Sequence, residues 1–428
     1  MNFDEALEDL EGRQPESMPG PSLDRIRAVA DLLDNPQLTY PTVHVTGTNG
    51  KTTTTRMVAA VTCAHGLSTG TFISPHIARI TERLSVCGEE IGQSEFAEEY
   101  ERLLPFFERA ESLGQRVTYF EAVTAMAYLW FADKPVSVGA FEVGMGGTWD
   151  ATNLVASDVA VLCPVGLDHR ELGSTVEEVA GEKAGIIKEG KSAVVREQRP
   201  EALEVIERRC ADVGAALLLE GKDFELESRV RAVGGQSLNV RGRHQTYSDI
   251  YVPAFGDHMA RNAVAAIAAC ESLLGRALDE ASVQKAFRRF ATPARMEVVR
   301  RRPVVVLDGA HNPDAATALV DTLTESFTWE RLHLVIGMFR DKDVETVAGL
   351  LAQITDRAYV CENSSPRSAP AERVVAALIA AGVEEVDTHS TVEAAVESAQ
   401  AEAREDDLLL VTGSFYTVAD ARPLFVTE

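Results

Sequence analysis

Lysine is scarce in this chain. Eight of its 41 basic residues are lysine, at positions 51, 134, 183, 188, 191, 222, 285 and 342, and the rest are arginine. Acidic residues number 66, which leaves a formal net charge of −25. A field of that sign repels nucleic acid and anionic membranes, so neither is an expected partner. Excess acid with so little lysine reads as adaptation to a salty cytoplasm, where screening weakens self-repulsion. No stretch approaches the roughly eighteen consecutive apolar residues of a membrane span. The opening Met1-Asn2-Phe3-Asp4-Glu5 is acidic, unlike a secretory leader. The six cysteines, Cys63, Cys87, Cys163, Cys210, Cys270 and Cys361, form no Cys-x-x-Cys pair. That spacing argues against a disulfide framework or a zinc knot and suits a reducing, cytoplasmic setting.

What is present points to a layered α/β protein. At 428 residues, 45% of them hydrophobic, the chain exceeds one ordinary core and predicts two or three domains. Its most informative stretch is Val43-His44-Val45-Thr46-Gly47-Thr48-Asn49-Gly50-Lys51-Thr52-Thr53. A β-branched run enters a glycine turn, and a helix opens at about Lys51. Gly47 and Gly50 let backbone N–H groups point inward, and the helix start adds its positive end, which together cradle polyphosphate. Lys51 would reach the outer phosphates, and a following hydroxyl would ligand Mg²⁺. The plain alternative is a glycine turn before an amphipathic helix, but lysine and four threonines in a helix mouth are an odd choice for that.

Helical patterns cover roughly 3–11, 23–34, 94–113, 119–132, 175–185 and 200–213, between a strand running into a loop at 69–76 and strand-like runs at 137–144, 159–165 and 192–195. Residues 83–90 read as a hairpin edge, and 216–252 as a small antiparallel patch. After helices at 257–275 and 280–289, strands at 304–307, 332–336, 357–361 and 408–412 alternate with helices at 313–326, 344–353, 370–381 and 392–404. Alternation of this kind predicts a doubly wound, mostly parallel sheet in residues 1–296 and a smaller Rossmann-like α/β domain in 297–428.

Ligands gather beyond the carboxyl ends of such strands. Ser74-Pro75-His76, Glu142 before Gly144-Met145-Gly146-Gly147, Asp168-His169, Asp308-Gly309-Ala310-His311-Asn312-Pro313 and Thr412-Gly413-Ser414 all fall there. An acid inside a strand needs a partner, and a metal beside phosphates would satisfy Glu142. Taken singly, Glu142 reads as a salt-bridged core acid, His169 as a turn residue, Lys183 as a solvated helix residue and Asn312 as a helix cap.

Taken in order, these motifs together with Thr118-Tyr119-Phe120-Glu121, Asp150-Ala151-Thr152-Asn153 and Glu182-Lys183-Ala184-Gly185-Ile186-Ile187-Lys188 resemble the folylpolyglutamate synthase and dihydrofolate synthase family, within the Mur ligase superfamily. The resemblance implies a P-loop domain of the Mur central type and ATP-dependent amide bond formation. Dihydropteroate or a folate would be joined to L-glutamate through an acyl phosphate, in a cleft closed against water by two lobes. It implies a cytoplasmic monomer that uses ATP and two Mg²⁺ sites. By motif, Thr48, Asn49, Gly50, Lys51, Thr52 and Thr53 form the phosphate cradle. Thr53, Ser74, Glu142 and His169 match metal ligands, and Lys183 matches a lysine that is carbamylated to hold a second metal. Asn262 matches an adenine contact, and Arg295 and Asp308 look like further nucleotide contacts. Arg25, Ser74 and His76 are expected near the pterin acid, and His311 and Ser414 near glutamate. The resemblance implies catalytic roles for Lys51, Lys183, His169 and His311.

Three departures bear on the acceptor. Lys51 is followed by Thr52-Thr53 where the family favours glycine and a hydroxyl residue, a form closer to the peptidoglycan Mur ligases. Thr148-Trp149 stands where an arginine is usual, and Pro293-Ala294-Arg295 where Pro-Gly-Arg is usual. Another Mur-type ligase is therefore the nearest alternative, and a nucleotide-binding regulatory protein the alternative from a different class.

Overall fold

Short apolar and β-branched runs form the strands here, and most are buried on both faces, as parallel strands flanked by helices must be. The computed structural model describes residues 1–15, 20–114, 116–167 and 170–426. They divide into two compact units: residues 1–230, 236–253 and 259–290, and residues 231–235, 254–258 and 291–428.

The first unit carries eight strands: β1 (Thr42–Thr46), β2 (Thr69–Phe72), β3 (Leu84–Val86), β4 (Glu89–Glu90), β5 (Val138–Glu142), β6 (Val159–Leu162), β7 (Ser192–Val195) and β8 (Ala216–Leu219). Their order is β4-β3-β2-β5-β1-β6-β7-β8. From β2 through β8 in that order neighbours are parallel, and at the other edge β3 pairs antiparallel with both β2 and β4. β1 is central, with β5 and β6 on either side, so the carboxyl ends of three parallel strands lie side by side, where ligands gather in such sheets. The helix Tyr119–Asp133 is apolar nearly all round and is buried along most of its length. Its Tyr128 and Phe131 meet Phe141 of β5, and this aromatic core extends to Phe72, Phe96 and Tyr100.

Three further strands, β9 (Glu225–Ala232), β10 (Gly235–Arg241) and β11 (Thr246–Val252), form a separate sheet in which β10 and β11 run antiparallel. The second unit holds β12 (Glu297–Arg301), β13 (Val304–Leu307), β14 (Leu332–Ile336), β15 (Arg357–Cys361), β16 (Glu385–His389) and β17 (Leu408–Thr412). Their order is β12-β13-β17-β14-β15-β16, parallel except for β12. Leu332, Leu334, Ile336, Leu408 and Leu410 are among its fully buried core residues. The α/β class holds in both units.

Two expectations need correction. Residues 216–219 do not belong to the antiparallel patch; as β8 they extend the main sheet, parallel to β7 with Val195 opposite Leu219. Cys63 and Cys87 are joined in a disulfide, with Cα atoms 5.7 Å apart. Counting local spacings missed it because the fold, not the sequence, makes them neighbours. β3 folds back antiparallel on β2, so Cys87 N–H donates to the Thr69 carbonyl just beyond the helix that carries Cys63. The other four cysteines are free and buried. No helix among the described residues is long and apolar enough to cross a membrane.

Candidate active site

The loop after β1 is held open by its two glycines. Gly47 has φ +141° and Gly50 φ +90°, and the helix Lys51–Ala64 starts immediately after Gly50. Its first N–H groups have no intrahelical acceptor and carry the positive end of the helix dipole. The loop is braced from both sides. Thr46 Oγ1 donates to the Gly146 carbonyl at 2.7 Å, and Thr48 Oγ1 pairs with both backbone groups of Gly166 at 2.9 Å. Lys51 Nζ donates to the Gly47 and Thr48 carbonyls at 3.1 and 3.3 Å, and Lys183 Nζ reaches the same Gly47 oxygen at 2.9 Å. Two cations thus converge on one carbonyl. Beside them lies a small cleft lined by Gly47, Thr48, Lys51, Gly144, Met145, Gly146, Gly166 and Lys183 together with Leu172 and Val179. Asn49 is half-buried next to Gly50.

Glu142 ends β5 beside this loop and is 1% exposed. Its Oε1 accepts from Thr52 Oγ1 at 2.7 Å, and its Oε2 from the Ser74 N–H at 3.0 Å. The Thr52 hydroxyl and the Ser74 backbone N–H therefore meet on the Glu142 carboxylate. Thr53 is buried and does not join them as the hydrogen bonds stand. His76 accepts from Arg83 Nε at its Nδ1, 2.9 Å away. Burial and the adjacent guanidinium push its pKa down to about 4, so the ring is neutral with its hydrogen on Nε2. Arg25 is committed to a buried ion pair with Glu121 at 2.8 Å and to the Gly20 carbonyl. Asp168 and His169 lie outside the described residues.

On the far side of the loop, the Asn262 carboxamide rests against Gly50: a Cβ added there would lie 2.8 Å from Asn262 Oδ1. Arg196 and Glu220, which the motif reading missed, stand behind it. Each is the residue directly after a parallel strand, and the rule that ligands gather at carboxyl ends could have flagged both.

In the second unit, Asp308 follows β13 and accepts from the Met296 and Ala310 N–H groups at 2.8 Å each. Burial raises its pKa, opposed by Arg295 and these hydrogen bonds. Arg295 stacks 3.8 Å above the Phe415 ring, and His311 meets the same ring edge-on. His311 Nδ1 lies 2.9 Å from the Gly309 carbonyl, which can only accept, so Nδ1 carries the hydrogen. Ser414 caps the helix Phe415–Ala421 and also accepts from Asn363, which uses its hydroxyl structurally. Asn312 caps the helix Pro313–Ser326.

Comparison with known proteins places this geometry. Residues 45–270 match the Mur ligase middle domain, and residues 294–415 the Mur ligase glutamate ligase domain. The dihydrofolate synthase/folylpolyglutamate synthase of Mycobacterium tuberculosis is 37% identical over 97% of this chain and 92% of its own. A solved structure of the folylpolyglutamate synthase of that organism, complexed with ADP and AMPPCP, is 36% identical and superposes with a TM-score of 0.94 over 100% of this chain and 98% of that one. The Escherichia coli FolC structure in complex with DHPP and ADP is 31% identical, with a TM-score of 0.89 over 99% and 97%. This chain belongs to the dihydrofolate synthase/folylpolyglutamate synthase family of Mur-type ligases.

Proposed function

We propose that this enzyme joins L-glutamate to dihydropteroate, and further glutamate to the γ-carboxylate of folates, with ATP converted to ADP and phosphate. The observation that carries the reading is the convergence of Lys51 and Lys183 on the Gly47 carbonyl, beside a glycine cradle and the Glu142 carboxylate with its Thr52 and Ser74 donors. The acceptor carboxylate attacks the γ-phosphorus, and ADP leaves. The resulting acyl phosphate is attacked at its carbonyl carbon by the glutamate amine, and the tetrahedral intermediate expels phosphate.

The residues have distinct tasks in this scheme. Lys51 exchanges backbone carbonyls for phosphate oxygens, and the N–H groups at the helix start hold the anion that develops as the phosphoryl group moves. Mg²⁺ fits the hard oxygen donors of Thr52, Ser74 and Glu142, and when bound it offsets phosphate charge. Among the described residues no group of three or more His, Cys, Asp and Glu forms a cage, and Mg²⁺ takes few protein ligands. Lys183 is the residue a carbamate would occupy, turning a cation into an anion suited to a second metal. His311 carries its hydrogen on Nδ1, towards the Gly309 carbonyl, which makes Nε2 the basic nitrogen of the ring.

The test is phosphate release with ATP and glutamate, using dihydropteroate, tetrahydrofolate or a nucleotide-sugar acid as acceptor. Turnover with a pterin acid supports the reading. Turnover only with the sugar acid would favour the second reading, a Mur ligase of another acceptor, to which Lys51-Thr52-Thr53 lends weight. Lys183→Ala should abolish ligation while ADP still binds; retained turnover would remove the carbamate from the scheme.

A further inference from the structure

Two buried charges stand where the main sheet ends. Val195 of β7 pairs with Leu219 of β8, so the next residues, Arg196 and Glu220, are set side by side at the carboxyl ends. Arg196 Nε lies 3.1 Å from Glu220 Oε2, with the two side chains only 5% and 2% exposed. The other Glu220 oxygen accepts from Arg261 at 2.8 Å. Arg196 therefore has little freedom, and it spends one donor on Asn262 Oδ1 at 2.6 Å. Asn262 is itself 2% exposed and leans on Gly50.

A guanidinium has donors only. The carboxamide oxygen must therefore face Arg196, and the amide Nδ2 must point away. Turned over, Asn262 would set N–H against N–H in a buried place. The amide end that Asn262 offers beside the nucleotide loop is thus decided by Arg196. Oδ1 keeps a second lone pair, and Nδ2 carries the two amide hydrogens. An acceptor next to a donor matches the edge of adenine, whose 6-amino group donates beside the N7 acceptor. A 6-oxo purine puts an acceptor against Oδ1 instead.

We propose that Arg196 is the positioning residue for nucleobase choice: clamped by Glu220, it pins the Asn262 carboxamide in the one orientation that accepts adenine and rejects 6-oxo purines. This rests on the reading that the nucleotide lies on the Gly47–Lys51 loop with its base at Asn262.

The experiment measures calorimetric affinities for ADP and IDP, which share the N7 acceptor and differ at the 6-substituent and the adjoining N1 hydrogen. Arg196→Met should lower the preference for ADP over IDP by about tenfold, the worth of one well-made base contact. Arg196→Lys, which keeps one donor, should restore part of it. A wild-type ratio in Arg196→Met, or an equal weakening of both nucleotides, would overturn the proposal. Asn262→Ala separates the two claims. If it leaves the ratio unchanged, the base is not read there and the underlying reading falls as well. If it collapses the ratio while Arg196→Met does not, the role of Arg196 alone is refuted. Should Arg196→Met not fold, Glu220→Gln, which loosens the clamp but preserves its shape, must move the ratio in the same direction, and an unmoved ratio refutes the proposal.

Discussion

One methyl group at Gly47 tests how tightly the phosphate loop is built. A Cβ there would lie 2.5 Å from Cys163 Cβ and 3.0 Å from the Cys163 Cα and carbonyl carbon. Non-bonded carbons rest at about 3.5–4.0 Å, so the loop or β6's extension must give way by about 1 Å. Overpacking of this kind costs about 1–3 kcal/mol. The φ of +141° adds backbone strain of about 1–3 kcal/mol for an L-residue. Gly47→Ala should therefore lose about 2–6 kcal/mol unless the loop moves. If it moves, it carries the carbonyl on which Lys51 and Lys183 converge. Gly190→Ala is the control: its φ is +66°, and an added Cβ meets nothing within 4 Å, so it suffers strain alone, about 1–2 kcal/mol. Urea unfolding followed by circular dichroism should rank wild type above Gly190→Ala and Gly190→Ala above Gly47→Ala. ADP affinity, by calorimetry, should drop at least about tenfold in Gly47→Ala only, as a displacement worth about 1.4 kcal/mol implies. A Gly47→Ala protein that unfolds no earlier than the control and binds ADP like wild type would refute the reasoning.

Three more outcomes follow from other parts of the molecule. The Cys63–Cys87 disulfide closes a 24-residue separation, for which loop entropy gives about 3 kcal/mol; a C63S/C87S protein should melt earlier, and an unchanged midpoint would show that the crosslink constrains nothing. His76 is held at about 4 against an ordinary value of 6.5, by burial first and then by Arg83. The unfolded chain thus binds a proton that the native chain lacks between those values, so this contribution is whole above pH 6.5 and is lost as pH falls towards 4. His76→Gln should flatten that slope in urea midpoints taken at pH 7 and 4.5. Finally, with a net charge of −25, unfolding midpoints should rise from low to molar salt; full stability at low salt would count against a salt-adapted surface.

Most of the fold was legible because its signals are local. Apolar runs such as Leu332–Ile336 and Leu408–Thr412 lie fully buried, and the helix Pro313–Ser326 announces itself with an Asn312 cap and Pro313 at its first turn. What escaped was set by pairing. β16, Glu385–His389, is a half-exposed polar edge with no hydrophobic pattern, and only its partner β15 makes it a strand. β8 reads like the start of the neighbouring hairpins until β7 claims it.

The same division runs through the site. Gly47, Gly50 and Lys51 are legible because the backbone conformation itself demands those residue types. The four threonines from Thr52 to Thr55 are not, since at 100° per residue they sweep most of the way round one helix and differ in nothing but direction. The register of β5 on β1 decides among them. Val45 opposite Glu142 brings the carboxylate to the end of the central strand, where Thr52 Oγ1 meets it at 2.7 Å while Thr53 and Thr54 turn into the core. A hydroxyl at Thr53 thus answers to packing and one at Thr52 to charge. Thr53→Val, nearly the same shape, should therefore spare nucleotide turnover far better than Thr52→Val, which leaves the buried Glu142 without one of its donors. Equal losses in kcat for the two variants would show that the helix turns on binding and that the resting hydrogen bonds do not mark the working hydroxyl.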